Sequence, residues 1–190
     1  GESILSKERP CDFRVALCQH KYVLNRYYDE LNHPREEARK ADLETFSKAD
    51  KNSQKNLYRN IRASCESGWD FSSRFLKDPN HLSSIETTSY LPIDLNALLY
   101  HHEMLLAKFS DILDKKTETK EFFTRAEKRK AAINEFFWDE TKGFFFDYHL
   151  EKANKSDIYC LAGVFPLFFE MCSQERANKL VDVLKSKFLR

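Results

Sequence analysis

Residues Glu66 to Phe75 read Glu-Ser-Gly-Trp-Asp-Phe-Ser-Ser-Arg-Phe, a run that sets aromatic rings, carboxylates and a cation around one glycine. Such a cluster has the make-up of a sugar site. A flat ring covers the apolar face of a pyranose, while carboxylate and guanidinium groups meet its hydroxyls. Asp70, between Trp69 and Phe71 and just after Gly68, has the local chemistry of a proton donor. Glycoside cleavage needs a carboxylic acid at the leaving oxygen. When configuration inverts it also needs a second carboxylate, roughly 6.5–9.5 Å away, that activates water from the opposite face. The donor keeps its proton near neutral pH only among apolar groups or beside another negative charge. The residue types alone equally allow a plain loop aspartate, a core tryptophan, a turn glycine and a structural ion pair of Arg74 or Glu66 within the loop. Glu66 and Arg74 would otherwise orient Asp70.

The elements that must hold this loop read as helices. Among Val15, Leu17, Tyr22, Val23, Tyr27 and Leu31, helical separations of four, seven and eight recur, which predicts a helix over Phe13–Leu31 ending near Asn32-His33-Pro34. A polar helix is expected over Glu36–Ser47, and another over Ser53–Cys65 carrying Leu57, Tyr58 and Ile61. Glu66 to Pro92 has no period and reads as a long functional loop. Pro92-Ile93-Asp94 opens the strongest helix, with a stripe from Leu95, Leu98 and Leu99 through His102, Leu105 and Leu106 to Phe109, Ile112 and Leu113. A charged turn leads to a helix over Glu121–Trp138, and the turn Asp139–Gly143 feeds a brief β-segment, Phe144–Tyr148. Helices over Ile158–Met171 and Gln174–Phe188 follow. The pattern is all-α: helical hairpins with functional loops at their joins, as in α/α barrels.

At 190 residues with 42% apolar content, the chain can bury one core. Thirty-one basic residues against 30 acidic ones give a net charge of +1 with no basic run, which argues against a nucleic-acid partner. No apolar run approaches the ~20 residues needed to span a bilayer. Five cysteines without metal-like spacing predict neither a zinc site nor a disulfide framework, and leave the compartment open. Cys65 reads as packing. His101 and His102, adjacent on a helix, point about 100° apart and make no two-ligand face, so no metal or other cofactor is called for. The start at Gly1 and the end within a helical run read as a fragment or a processed product.

The ten-residue run resembles the Glu-Ser-Gly-Trp-Asp-Phe-Ser-Ser-Arg-Trp motif of trehalases, inverting glycosidases that split α,α-trehalose into two glucoses, and departs from it only at Phe75. Leu24–Tyr28, Tyr58–Arg62, Leu91–Asn96, Trp138–Glu140 and Phe146–Tyr148 resemble further trehalase segments in the same order. The resemblance implies part of an (α/α)6 toroid, an incomplete barrel, with residues 1–190 forming a partial catalytic domain. It implies Asp70 as the general acid, and α,α-trehalose as the substrate. Pro34–Ala38 is similar to the family's Pro-Arg-Pro-Glu-Ser segment, so Arg35 and Glu37 are implied as sugar contacts, and Gly68 as a backbone contact. Glu36 replaces a proline there, and His149 stands where the family tends to have Asp.

The upstream Gly-Gly-Arg-Phe segment, the downstream Gln-Trp-Asp-x-Pro segment and the catalytic-base glutamate of trehalases have no counterpart in this sequence. No residue here is therefore assigned the base. The expectation is that these residues belong to a longer chain that hydrolyses trehalose. The alternative is a truncated or diverged trehalase-like protein without activity, serving as a helical interaction module. An unrelated helical scaffold is a third reading. Oligomeric state is left open.

Overall fold

The computed structural model describes residues 5–6, 11–19 and 21–189. Two long helices form its frame, α4 (Ile93–Ile112) and α5 (Lys116–Phe136), an antiparallel hairpin closed by three residues in which Asp114 takes a left-handed conformation. Before them come α1 (Arg39–Lys48), α2 (Lys51–Gln54) and α3 (Leu57–Ser67); after them come the short α6 (Phe165–Phe168) and α7 (Gln174–Lys187). The chain is thus mainly helical, with small sheets at the joins.

The helix expected over Phe13–Leu31 is not formed. Strands β1 (Cys11–Asp12), β2 (Val15–Cys18) and β3 (Tyr22–Asn25) make an antiparallel meander, with Cys11 opposite Ala16 and Val15 opposite Asn25. Within β2 the burial alternates, with Ala16 and Cys18 inward, as a half-buried strand requires. The turns fall at Phe13 and Gln19, both at positive φ without glycine, so the usual breaker signal was absent. The helix expected over Ile158–Met171 is also largely lost: Leu161–Val164 is a 3-10 turn and only α6 is α-helical. Gly163 explains part of this. A Cβ there would collide with the Phe144 ring and the Phe145 carbonyl, so the backbone lies directly on the aromatic segment.

The expected β-segment Phe144–Tyr148 is β-structure at its two ends, with Phe146 and Asp147 between the strands. β6 (Phe144–Phe145) pairs with β5 (Trp138–Asp139), while β7 (Tyr148–His149) lies between β4 (Tyr90–Leu91) and β8 (Asn154–Lys155).

Helix α4 turns an unexpected face to the core. Its buried row is Ile93, Asn96, Ala97, Tyr100, Glu103, Ala107 and Ser110, while Leu98, Phe109 and Ile112 of the leucine stripe are exposed, Ile112 at 68%. Polar groups in that row are satisfied across the hairpin. Arg129 on α5 donates to both Glu103 oxygens at 3.0 and 2.9 Å, and to the Asn25 and Asn96 side chains.

Two apolar clusters result. The larger joins the meander, α4, α5, the aromatic strands and Leu180 of α7; the smaller is Leu57, Ile61, Phe75, Ile85 and Tyr90. Trp69 packs against both. Among the described residues, no helix is long and apolar enough to cross a membrane.

Candidate active site

Helix α3 delivers the motif. It ends at Gly68, whose φ of 72° is the left-handed conformation that closes a helix and favours glycine; its N–H donates to the Cys65 carbonyl. A Cβ on Gly68 would meet nothing within 4 Å, so the space before it is open. Trp69 then wedges between the two clusters, and Asp70 projects beyond it, exposed, without a hydrogen bond or ion pair among the described residues. The Asp70–Phe71 peptide is cis.

The loop is pinned four residues later. Arg74, 1% exposed, lies between two carboxylates: it donates to Asp147 from Nε and Nη2, both at 2.7 Å, and to Asp94 at 3.2 and 2.9 Å. Asp147 also accepts the Ile93 N–H at 2.9 Å, capping the start of α4 from the link between β6 and β7. Burial drives the Asp147 carboxyl above its usual range, while the Arg74 charge draws it back. The guanidinium also lies under the Trp69 ring at 5.6 Å. Arg74 is therefore an ion-pair residue, but its partners lie outside the loop, Asp94 just past its end and Asp147 far along the chain. Glu66 likewise turns away from Asp70, accepting from Arg14 at 2.8 Å and from the Tyr28 N–H at 3.2 Å.

Arg35 reaches the same place from the turn before α1. Its guanidinium donates to both oxygens of Asp42 (Nε 3.1 Å, Nη2 2.7 Å) and to the Cys65 sulfur (Nη1 3.1 Å), and lies over the Phe71 ring at 5.2 Å. Cys65 is thus a contact of the site as well as packing. Burial pushes its thiol up; the Arg35 charge opposes this and the Asp70 charge adds to it, so both charges act on one sulfur. Glu37 sits on the exposed side of the same turn and makes no polar contact with the motif among the described residues. The fold brings together Arg35, Cys65, Phe71 and the Gly68–Asp70 turn, with Glu37 further out.

Asp42 was missed in the sequence, where it is one acid among many in a polar helix. Burial raises its carboxyl, but the Arg35 hydrogen bonds and the Arg35 and Arg62 charges outweigh burial and hold it below the usual carboxylate value. A carboxyl lowered by folding adds stability above its unfolded pKa and loses it as pH falls through the folded one. Acid titration of the denaturation midpoint is accordingly expected to show a loss beginning below about pH 4. In Asp42→Asn that part of the pH slope should vanish; an unchanged slope would contradict the assignment.

Of the remaining sequence candidates, His101, His149 and Phe75 have structural partners. His101 stacks on Phe169 at 4.5 Å, and His102 is exposed. His149 is buried beside Glu86: its Nδ1 accepts the Lys152 N–H at 3.2 Å, which leaves the proton on Nε2, 3.4 Å from Glu86. Phe75 is fully buried in the smaller cluster. Among the described residues no group of three or more His, Cys, Asp or Glu could hold a metal.

Helical hairpins whose joining loops gather charged and aromatic side chains define a class of fold, and this chain is part of an (α/α)6 toroid. The chain belongs to the trehalase family, whose model matches residues 8–189. It is 40% identical over 168 residues to a periplasmic trehalase of Pseudomonas aeruginosa, a match that covers 88% of this chain and 31% of that protein. It superposes on the neutral trehalase Nth1 of Saccharomyces cerevisiae with a TM-score of 0.69 at 21% identity, over 86% of this chain and 34% of that one. The chain thus spans about a third of the length of these relatives. Family membership removes the reading as an unrelated scaffold.

Proposed function

We propose that residues 1–190 form part of the catalytic domain of a trehalase, and that they contribute the acid half of an inverting site for α,α-trehalose. Asp70 protonates the glycosidic oxygen as the bond breaks. Arg35 donates to sugar hydroxyls, Glu37 accepts from them, and the open space at Gly68 lets a ring approach the backbone. The observation that supports this reading is the seating of Arg35 on Phe71 and Cys65, which brings a guanidinium, remote in sequence, against the residue that follows the exposed Asp70. The exposed stripe of α4 supports a larger domain, since an apolar face of this length is normally covered. No residue of the 190 is assigned as the water-activating base. General-base help is worth about 10²- to 10⁴-fold, so the isolated chain is expected to turn over little trehalose.

The test is proton NMR of trehalose freshly hydrolysed by the longest reading frame that contains these residues. Inversion at the attacked carbon, with the leaving glucose keeping its configuration, yields α- and β-glucose in equal first amounts. Pure α-glucose at early times would indicate retention, and no glucose at all would remove the enzymatic reading. Efficient release by the 190-residue chain alone would overturn the half-site.

A further inference from the structure

Helix α1 is mostly polar, and the one side chain it buries is a carboxylate, Asp42, at 2% exposure. Burying an isolated charge is costly unless it is paired. Three donors converge on this carboxylate, and all belong to Arg35: its backbone N–H at 2.8 Å, Nε at 3.1 Å and Nη2 at 2.7 Å. Two parallel N–H···O bonds fix a guanidinium in plane, and the backbone contact fixes the turn that carries it. The remaining contacts define the other edge of the fork, Nη1 on the Cys65 sulfur and one face on Phe71. Of five guanidinium hydrogens, three are spent in this way, which leaves one on Nη1 and one on Nη2 for a ligand.

We propose that Asp42 is a positioning residue for the sugar site: it aims the Arg35 fork, so that the two uncommitted N–H groups meet hydroxyls of the bound glucoside without reorganising. This rests on the reading of Arg35 as a sugar contact. The role differs from catalysis, because Asp42 is buried behind Arg35 and its two oxygens are already occupied by that residue. It also differs from general scaffolding, because loss of aim acts on ligand binding through one other residue. Preorganised donors bind without an ordering cost, and a misplacement of about 1 Å is worth up to ~10²-fold.

The test compares Arg35→Ala, Asp42→Asn and the double variant in the longest chain containing these residues, by KM and kcat for trehalose and by calorimetric titration with trehalose. Arg35→Ala is expected to weaken binding about 10- to 100-fold, Asp42→Asn to weaken it about 10-fold or more with a smaller change in kcat, and the double variant to be no worse than Arg35→Ala alone. Asp42→Glu keeps the charge but displaces it by a methylene. It serves as the readout if the amide variant fails to fold, with the same direction expected. If Arg35→Ala leaves binding unchanged, the Arg35 contact itself is wrong. If Arg35→Ala weakens binding while Asp42→Asn or Asp42→Glu does not, or if the two losses simply add, the positioning role is overturned.

Discussion

Arg74→Met should lower the stability of the chain by about 3–5 kcal/mol, enough to unfold a domain of ordinary stability. The substitution preserves much of the volume and removes the guanidinium that bridges Asp94 and Asp147, both 5% exposed or less. What remains is two carboxyls facing each other without that cation. Burial then acts on Asp147 opposed only by the Ile93 N–H, so in the folded state that carboxyl holds its proton to higher pH than in the unfolded one. A group raised by folding stabilises below its unfolded pKa and loses that contribution as pH rises through the folded value. The deficit of Arg74→Met is accordingly expected to grow from acid toward neutral pH. Adding Asp94→Asn and Asp147→Asn should recover part of it, because the amides carry no charge and the amide oxygen introduced at position 147 can still accept the Ile93 N–H. Denaturant midpoints across pH measure all of this. A deficit below about 1 kcal/mol would mean that the triad is not a buried ion pair.

Asp70→Asn carries the largest expected effect on chemistry. In the longest chain that contains these residues, kcat for trehalose should fall by about 10²- to 10⁴-fold, the usual worth of a positioned acid. Binding should persist, since an amide keeps the size and hydrogen-bonding capacity of the acid. Asp70 makes no hydrogen bond or ion pair among the described residues and is exposed, so the substitution should leave the denaturation midpoint within about 0.5 kcal/mol of the parent. This separates it from Arg74→Met, where activity would fall because the loop is no longer held.

Periodicity revealed the long helices α4, α5 and α7, the aromatic β-segment and the irregular run from Glu66 to Pro92. It failed where two periods meet. Val15 and Leu17 keep a strand spacing of two while Val23, Tyr27 and Leu31 keep a helical spacing of four, and the meander's turns use Phe13 and Gln19 at positive φ, positions that carry no glycine or proline signal. It also identified the stripe of α4 without its direction. Packing of small and polar residues against α5 won the core face, because Arg129 satisfies Glu103 and Asn96 there. At the site, residue types marked Asp70 and its aromatic flanks, while Arg35 and Glu37 came only from family resemblance. The Arg74 partners, 20 and 73 residues distant, and the Arg35–Asp42 clamp have no local signature. Several residues in the trehalase-like segments hold the fold: Asn25 and Asn96 exchange hydrogen bonds between β3 and α4, and Arg59 and Arg62 hold Asp29.

The acid role of Asp70 is tested most directly by a change of leaving group. Glucose leaves as an alkoxide unless it is protonated, whereas fluoride leaves without a proton donor. Rates for trehalose and for α-glucosyl fluoride, measured side by side in the parent and in Asp70→Asn, divide the acid's contribution from every other effect of the substitution. The variant is expected to lose about 10²- to 10⁴-fold on trehalose and far less on the fluoride. Equal losses on both substrates, or normal turnover of trehalose, would contradict the acid role.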